Sequence, residues 1–223
     1  YDIIALQETD DKLHDFYTQA LGPEYESVLA VTGKHGNDHL LTIYNTETLT
    51  LRRSFELHQY GGVVITPNVS RGGKRSPLIT FFTDNRDGSR FICINVHFDR
   101  SVAAHRCLQS FVLREWVISR AEPTVVLGDC NFDYNFLERD PGNEAFKLFT
   151  FGGQIRWVEP EVLIDTNYSE RSGRETYPDS IIDFIFVANG AENWGLISQV
   201  LVREGDFPDT ESTSDHRPVA GFR

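Results

Sequence analysis

The 223-residue chain carries 21 basic and 33 acidic side chains, which gives a net charge of −12. Its 40% apolar and 24% charged residues are typical of a globular protein and exclude a disordered or collagen-like chain, and no apolar run approaches the roughly 18 residues of a membrane span. The negative charge argues against a general electrostatic affinity for DNA, but it suits a protein that handles phosphates through divalent cations.

The first third of the sequence predicts one helix among short strands. The chain opens on an apolar run, residues 1–6, with no polar residues leading into it, so we expect another element upstream. Residues 10–21 predict a helix, because an acidic start is followed by apolar residues at helical spacing and then by Gly22-Pro23. Four β-rich stretches separated by turn residues follow, at 25–31, 39–44, 48–57 and 62–66.

The rest of the sequence predicts six further strands and two helices. Helices are predicted at 102–119 and 143–149, and residues 150–180 are predicted to form surface loops because they show little periodicity and many turn formers. Strands are predicted at 78–83, 90–96, 124–127, 181–187, 196–202 and 219–222. Many strands with few helices favour a single domain, residues 1–223, of two packed sheets covered by helices.

The three cysteines favour a reducing compartment. Cys93, Cys107 and Cys130 are odd in number and form no CxxC pair, which argues against a disulfide framework. No secretory signal is visible at the start of the sequence. We therefore expect free thiols and a cytoplasmic location. We also expect the protein to be a monomer.

Acidic, amide or imidazole side chains repeatedly follow an apolar strand in this sequence or directly precede one. The residues at these positions are Glu8, His97, Asp99, Asp129, Asn131, Asp183, Asp215 and His216. Asp183 differs from the others, because it stands inside an apolar run and therefore needs a partner, for which a histidine is suited. Gly128, directly before Asp129, permits a sharp turn and a close approach of the backbone.

Together these side chains favour a metal site. A carboxylate at the edge of an apolar strand is costly unless something neutralises it, and several brought together raise one another's pKa values. A bound divalent cation removes that penalty. Oxygen donors such as Glu8, Asp129, Asn131 and Asp215 suit Mg²⁺ or Mn²⁺ rather than zinc. The histidines would then be available for phosphate contact or proton transfer.

Each position taken alone also has a structural explanation. An acid at a strand end is commonly a cap, His97 would fit as a hydrogen-bonded core histidine, and residues 128–131 would fit as a plain turn. The basic cluster at 70–75 fits either a solvated hairpin tip or a phosphate-contacting loop. The combination, in this order along the chain, is more specific than any single element.

In combination these stretches resemble the endonuclease/exonuclease/phosphatase family. The matching sequences are LQE ending at Glu8, NVHFD around His97, GDCN around Asp129, IDFIF around Asp183 and the terminal SDHRPV around His216. The RSPL stretch that begins at Arg75 and the Thr-Tyr pair ending at Tyr177 also look like family features. The resemblance runs over nearly the whole chain and implies an α+β fold, a four-layer α/β/β/α sandwich of two packed mixed β-sheets flanked by helices, as in deoxyribonuclease-I-like proteins.

The resemblance also implies a cofactor. Glu8 is expected to be the main ligand of a Mg²⁺ or Mn²⁺ ion, and Asp215 is expected to be a second acid near that metal. The family normally has an earlier strand, which carries an Asn or Asp that contacts the site. This sequence begins after that point, so we expect the first strand of the fold to be lacking from residues 1–223.

The resemblance further implies which residues are catalytic. Asp129 and Asn131 are expected to orient or activate the attacking water and to contact the phosphate. His216 is expected to contact the scissile phosphate, with its tautomer held by Asp183. His97 matches the other histidine of the family's active site.

The predicted function is divalent-metal-dependent hydrolysis of a phosphodiester, with the substrate left open between classes. In the first hypothesis the protein is a nuclease or nucleic-acid phosphodiesterase. Arg75 and Arg100 would then contribute to a local basic strip, and either Tyr177 or Trp157 would stack on a base. In the second it is a phosphatase or phosphodiesterase of a small phosphorylated molecule. In the third it is a non-catalytic binding module of the same fold, against which the intact acids and histidines argue.

Overall fold

The computed structural model describes residues 1–30, 38–65, 75–137, 144–167, 180–202 and 214–223. Within these ranges the helices are α1 (His14–Leu21), α2 (Ala103–Ile118) and α3 (Glu144–Thr150). The strands are β1 (Ile3–Thr9), β2 (Tyr25–Leu29), β3 (His39–Asn45), β4 (Leu49–Glu56), β5 (Gln59–Tyr60), β6 (Val63–Val64), β7 (Leu78–Asp84), β8 (Arg90–His97), β9 (Thr124–Asn135), β10 (Ile155–Trp157), β11 (Ser180–Ala188), β12 (Ile197–Val200) and β13 (Val219–Phe222).

The largest sheet is mixed and has six strands in the order β10-β11-β9-β8-β7-β4. The neighbours β8 and β9 are parallel, since α2 connects them as a crossover helix, and the other neighbours are antiparallel. Layers cover this sheet on both faces, which explains the nearly continuous apolar sequence SIIDFIFVA of β11.

A second layer of strands packs on one face of the large sheet. It consists of the three-stranded sheet β1-β3-β2 and the two-stranded sheet β12-β13, both antiparallel. Tyr44 of β3 packs between the layers, with its ring centroid 5.2 Å from that of Phe82 on β7. Val219 of β13 packs against Ile185 and its neighbours on β11.

Helices α2 and α3 cover the opposite face of the large sheet. The buried residues of α2 recur every three or four positions, which gives one apolar face that includes Val112, Leu113 and Trp116. Phe149 of α3 packs on Phe186 of β11 with ring centroids 5.0 Å apart. On the far side, α1 lies beside β2 with none of its residues buried. The predicted arrangement of sheets flanked by helices is therefore confirmed.

Two regions differ from the sequence prediction. Strand β9 was expected at 124–127 but extends to Asn135, because pairing with β11 continues past the polar sequence GDCN. Strand β10 lies inside the range 150–180 that was predicted to be loops. Its three residues are too few to show periodicity, and pairing with β11 defines it.

Other sequence predictions concern the cysteines, the membrane and the extent of the domain. The three cysteines are free thiols, as predicted. In the described ranges we find no helix with the length and apolar character that crossing a bilayer requires. The single domain over residues 1–223, the strand expected upstream, the monomeric state and the cytoplasmic location stay predictions.

Candidate active site

Three of the predicted catalytic residues lie in one row across neighbouring strands of the large sheet. His97, the last residue of β8, is in register with Asp129 of β9, and Asp129 is in register with Asp183 of β11. Because adjacent strands are only about 4.8 Å apart, this register alone brings one imidazole and two carboxylates together. His97 Nε2 lies 3.3 Å from Asp129 Oδ2.

Gly128 allows β9 to approach β8 closely enough for this row to form. Its φ of +133° is one that residues with a side chain rarely adopt, and a Cβ placed on it would overlap the Val96 carbonyl oxygen. A side chain at this position would therefore separate the two strands just where Asp129 must reach His97.

Replacing Gly128 by Ala is expected to lower the free energy of unfolding by about 2–5 kcal/mol, because the methyl group adds an overlap with rigid backbone to the strain in φ. Urea denaturation followed by tryptophan fluorescence measures the loss. Gly88→Ala is the matched control, since Gly88 also has a positive φ, +74°, but nothing lies within 4 Å of its Cβ position. Equal losses in both variants would show that the approach to Val96 does not affect stability.

Asp129 and Asn131 are fixed by hydrogen bonds at a bulge of β9. The register between β9 and β11 shifts beside Asp129, and Asn131 has a left-handed φ of 50°. Asp129 Oδ1 accepts a hydrogen bond from the Asn131 backbone N–H at 2.9 Å, and Asn131 Nδ2 donates to the Phe98 carbonyl at 3.0 Å. Non-glycine residues in this conformation are concentrated at functional sites, where the surrounding structure holds them.

The buried Asn95 of β8 attaches the second layer to the large sheet close to the site. Its Nδ2 donates to the carbonyls of Leu6 on β1 and Leu41 on β3, both at 3.1 Å. Its Oδ1 accepts a hydrogen bond from Gln7 Nε2 at 2.8 Å. These bonds fix the end of β1 relative to His97, two residues farther along β8.

Glu8 reaches the site from this second layer. The register between β1 and β3 shifts between Leu6 and Thr9, and Glu8 has a left-handed φ of 53°. Such a bulge redirects a side chain, and the Glu8 carboxylate is exposed with Oε1 3.7 Å from His97 Nε2. The structure therefore brings Glu8 to the row of residues on the large sheet.

The guanidinium of Arg75 lies among these side chains. Its Nη1 is 2.8 Å from His97 Nε2, and its Nη2 is 3.8 Å from Glu8 Oε1. Its Nε donates a hydrogen bond to Asp38 Oδ2 at 3.0 Å. Arg75 was predicted to bind substrate, and the structure places it beside His97 and Glu8.

The donors at this edge fit a divalent cation. Glu8, Asp38 and His97 each offer one ligand atom, and these three atoms lie within 4.8 Å of one another. Asp38 Oδ1 is buried and has no hydrogen-bond partner among the described residues. Two carboxylates and one imidazole suit Mn²⁺ or Mg²⁺. Asp215 does not belong to this group, and its role as a second ligand stays a prediction.

His216 is the second imidazole of the site and pairs with Asp183. Its Nδ1 lies 2.9 Å from Asp183 Oδ2, so Nε2 is the nitrogen that can face a substrate. The loop before β11 supports both residues, because Thr166 Oγ1 accepts a hydrogen bond from the Asp183 backbone N–H and Asn167 forms an antiparallel bridge with His216. Backbone and side-chain contacts thus fix the pair.

The environment of His216 keeps its imidazole protonated. Burial alone would lower the pKa of His216, but the charge of Asp183, the hydrogen bond to it, and the charges of Asp129 and Asp215 raise that pKa to about 10. The opposite balance holds at Asp129. Burial would raise the pKa of Asp129, but the charge of His97, its hydrogen bond, and the charge of His216 outweigh burial and lower that pKa.

An ionised acid therefore lies close to a protonated imidazole at one edge of the large sheet. Comparison of the whole sequence with models of protein families identifies the family to which the chain belongs. The model described as the Endonuclease/Exonuclease/phosphatase family matches residues 1–216.

The chain belongs to the Endonuclease/Exonuclease/phosphatase family. The resemblance seen in the sequence is thereby confirmed, and the members that give the family its name all act on phosphoesters. No curated protein matches the chain in sequence.

Solved structures of Endonuclease/Exonuclease/phosphatase proteins share the fold at low sequence identity. A mannosyl-6-phosphatase from Bacteroides thetaiotaomicron is 20% identical, with 100% of this chain and 85% of that chain covered and a TM-score of 0.70. An endonuclease/exonuclease/phosphatase family protein from the same organism is 20% identical, with 98% of this chain and 79% of that chain covered and a TM-score of 0.73. TDP2 of D. rerio, complexed with a single-strand DNA product, is 14% identical, with 98% of this chain and 84% of that chain covered and a TM-score of 0.69.

The other predicted substrate-binding residues of this Endonuclease/Exonuclease/phosphatase protein are less well defined. Arg100 is exposed in the turn before α2, and its carbonyl accepts a hydrogen bond from Arg106 Nη1. Tyr177 lies outside the described residues, as does most of the basic cluster 70–75. Their roles in binding substrate stay predictions.

Two residues at the site of this family member were not identified from the sequence. Asp38 directly precedes β3, whose pairing of His39 with Thr9 sets it beside Glu8. The sequence feature that could have identified Asp38 is its position as an acid directly before the strand predicted at 39–44. Thr166 lies in the range predicted to be loops, and no pattern in the sequence connects it with Asp183.

Proposed function

We propose that this protein hydrolyses phosphodiesters with the help of a bound divalent cation. The observation that carries the proposal is an acid whose pKa is lowered, Asp129, close to an imidazole whose pKa is raised to about 10, that of His216. At neutral pH the first is a base and the second a cation, and such paired, oppositely perturbed groups are typical of acid–base catalysis. Family membership supports the same reaction class.

Each residue of the site has a separate role in the proposed reaction. Asp129 accepts a proton from the attacking water as its oxygen bonds to phosphorus, and Asn131 helps to orient that water. His216 donates a hydrogen bond where negative charge develops, and its proton passes to the leaving alkoxide as the P–O ester bond breaks. Asp183 holds the imidazole in place. Arg75 contacts a non-bridging phosphate oxygen through Nη1 or Nη2.

Glu8 is the residue best placed to hold the cation, with Asp38 and His97 within reach of the same ion. When bound, a divalent cation supplies positive charge that polarises the phosphate and offsets these carboxylates. The proposal that the ion is Mg²⁺ or Mn²⁺ rests on the oxygen-rich donor set.

The charge of the site favours a diester over a monoester. The carboxylates whose charges act there are those of Glu8, Asp38, Asp129, Asp183 and Asp215, and they outnumber the cationic side chains. A diester brings one negative charge to this acidic site, whereas a monoester dianion brings two and is therefore bound at a higher electrostatic cost.

A nucleic acid is the first candidate substrate, and a small phosphorylated molecule is the second. The similar TDP2 structure contains a single-strand DNA product, which supports a single strand or strand end. The net charge of −12 disfavours a long duplex and supports the second candidate, as does the similarity to a mannosyl-6-phosphatase.

A substrate panel tests the proposed function. With Mg²⁺ or Mn²⁺ we expect release from bis-p-nitrophenyl phosphate and from single-stranded oligonucleotides, and kcat/KM for the diester about tenfold above that for p-nitrophenyl phosphate, which corresponds to 1.4 kcal/mol. EDTA should abolish turnover, and added Mn²⁺ should restore it. Plasmid DNA is included to test for duplex cleavage.

The alternatives give different results in the same panel. Turnover of p-nitrophenyl phosphate alone would contradict the diester proposal and favour a small-molecule phosphatase. Turnover that survives EDTA would contradict the role of the cation. Phosphate binding without turnover of any ester would favour a non-catalytic binding module.

A further inference from the structure

Asn167 stands directly opposite His216. The two residues form an antiparallel bridge, and next to it the Arg217 backbone N–H donates to the Thr166 carbonyl at 2.9 Å. This hydrogen bond makes Asn167 and His216 the close kind of antiparallel pair, in which the Cα atoms lie about 4.5 Å apart. Side chains of such a pair extend from the same face. Because the His216 imidazole reaches Asp183 Oδ2 at 2.9 Å, the Asn167 amide lies on the face of the site, beside that imidazole.

The amide nitrogen of Asn167 is buried without a partner. The residue is 4% exposed, and its Nδ2 has no hydrogen-bond partner among the described residues. Two other buried side-chain nitrogens lack a partner, His97 Nδ1 and Arg106 Nε, but another nitrogen of each side chain is in contact with a polar group. A buried donor without an acceptor destabilises the folded protein, so such a group is rare unless it has a function.

The surroundings of Asn167 Nδ2 indicate an acceptor that the chain itself does not supply. An NH2 group can only donate. The nearest acceptors in the fold are already in use, because Asp183 Oδ2 pairs with His216 and Thr166 Oγ1 accepts from the backbone N–H groups of Ile182 and Asp183. A phosphate oxygen is an acceptor without protons in a diester, and its negative charge strengthens the hydrogen bond.

Asn167 and Arg75 lie at opposite ends of the row of catalytic candidates. The row begins at His97 on β8, passes Asp129 on β9 and ends on β11, where His216 is attached. Arg75 Nη1 is 2.8 Å from His97 Nε2 at the first end, and Asn167 is paired with His216 at the other. A phosphate that lies over Asp129 would therefore meet a donor from each end.

We propose that Asn167 is a substrate-contacting residue, whose Nδ2 donates a hydrogen bond to a non-bridging phosphate oxygen on the His216 side of the site. Arg75 contacts the phosphate from the other side. The amide is desolvated when the protein folds rather than when the substrate binds, and this preorganisation strengthens binding. The inference rests on the proposed function, because it adds a contact to the same phosphate.

The test replaces Asn167 by Leu, which has nearly the same shape but neither donor nor acceptor. The Kd of inorganic phosphate, measured by isothermal titration calorimetry with Mg²⁺ present, is expected to rise about tenfold. The kcat/KM for bis-p-nitrophenyl phosphate is expected to fall about 30-fold, as for the loss of a hydrogen bond to a charged group. The melting temperature should not fall, because the free protein loses no hydrogen bond.

Ser198→Ala is the matched control for removing a buried polar group that has no partner. Ser198 Oγ is buried without a hydrogen-bond partner among the described residues. Ser198 pairs with Gly221, toward the end of β13 that lies farther from His216. Its replacement should leave the phosphate Kd and kcat/KM within about twofold of the wild type. A loss as large as that of Asn167→Leu would contradict the proposed contact.

Asn167→Asp is the second variant and keeps the size of the side chain. It replaces the donor by a negative charge beside the phosphate, so the phosphate Kd should rise by at least about 30-fold and kcat/KM should fall by at least about 100-fold. If Asn167→Leu does not fold, Asn167→Asp decides the same question. A phosphate Kd that Asn167→Asp leaves unchanged would contradict the contact.

The outcomes separate this inference from the proposed function. A wild type that binds phosphate but cleaves no ester contradicts the proposed function, whereas a raised phosphate Kd in Asn167→Leu would still support the contact. A wild type that binds no phosphate contradicts both. An unchanged phosphate Kd with a lowered kcat/KM would place the amide on the leaving group and overturn the inference. A lowered melting temperature in Asn167→Leu, with phosphate Kd unchanged, would show that Asn167 is merely structural.

Discussion

An Asp129→Asn variant is expected to hydrolyse bis-p-nitrophenyl phosphate about 10³-fold more slowly than the wild type, because an amide cannot accept the proton of the attacking water. The substitution is nearly isosteric. Its amide oxygen can still accept the hydrogen bond from the Asn131 backbone N–H, which measures 2.9 Å in the wild type. The fold and the position of Asn131 should therefore persist while the base is lost.

The measurement is kcat at saturating Mg²⁺ and at saturating Mn²⁺, together with the melting temperature. Asp133→Asn is the matched control on the same strand. Burial raises the pKa of Asp133, against the opposing charges of Arg106 and Arg100, so replacing its carboxyl by a neutral amide should cost little. We expect this control to stay within about threefold of the wild-type kcat.

Asp129→Asn at more than about a tenth of the wild-type kcat, with an unchanged melting temperature, would remove Asp129 from the role of base. Glu8 would then be the next residue to replace. A loss in Asp129→Asn that excess Mn²⁺ reverses would instead indicate that Asp129 acts mainly as a metal ligand.

The row of catalytic candidates was predictable because it depends on local rules. His97, Asp129 and Asp183 each follow or interrupt a strongly apolar stretch, and such stretches become central strands of a sheet. His97 ends β8, and the register of β8 with β9 and of β9 with β11 brings Asp129 and Asp183 into the same row. The pairing of Asp183 with His216 was also predictable in kind, since a buried carboxylate needs a partner.

The contacts of Asp38 were not predictable, because they depend on how two sheets pack. Its neighbour Glu8 is reached through the register of β1 with β3, and its partner Arg75 comes from the segment before β7. No spacing in the sequence encodes a contact between layers. The hydrogen bonds of Asn95 that hold these layers together were hidden for the same reason, since an Asn inside an apolar strand shows no partner from sequence alone.

The bulges at the site were also outside the reach of pattern analysis. Glu8 and Asn131 both have left-handed φ values, 53° and 50°, which propensity alone disfavours for glutamate. Their conformations follow from the strand pairing on either side. Local preference and observed structure therefore disagree at Glu8, a residue proposed to act in the reaction, as is common at functional sites.

An Asp183→Asn variant is expected to lose activity in a pH-dependent way, with a fall in kcat of about 10³-fold at pH 8. In the wild type the pKa of His216 is raised to about 10, so the reactive imidazolium persists until the pH rises through that value. Without the Asp183 carboxylate the pKa of His216 should return to near its ordinary 6.5. The alkaline limb of the pH–rate profile should then move down by several pH units.

The sign of this shift makes the prediction specific. At pH 6 most of the His216 in the variant is protonated again, so the loss of kcat at pH 6 should be about 20-fold smaller than the loss at pH 8. The profile of kcat between pH 5.5 and 10.5 measures both.

Asp165→Asn is the control for the loss of a neighbouring ion pair. Asp165 Oδ1 lies 2.9 Å from Nη1 of Arg217, the residue that follows His216 in the chain. The Asp165 carboxylate thus pairs with Arg217 rather than with the His216 imidazole. Its replacement should leave the alkaline limb in place. A limb near pH 10 in Asp183→Asn as well would mean that the titration governing activity is not that of His216. The proton donor in the reaction would then be a group other than His216.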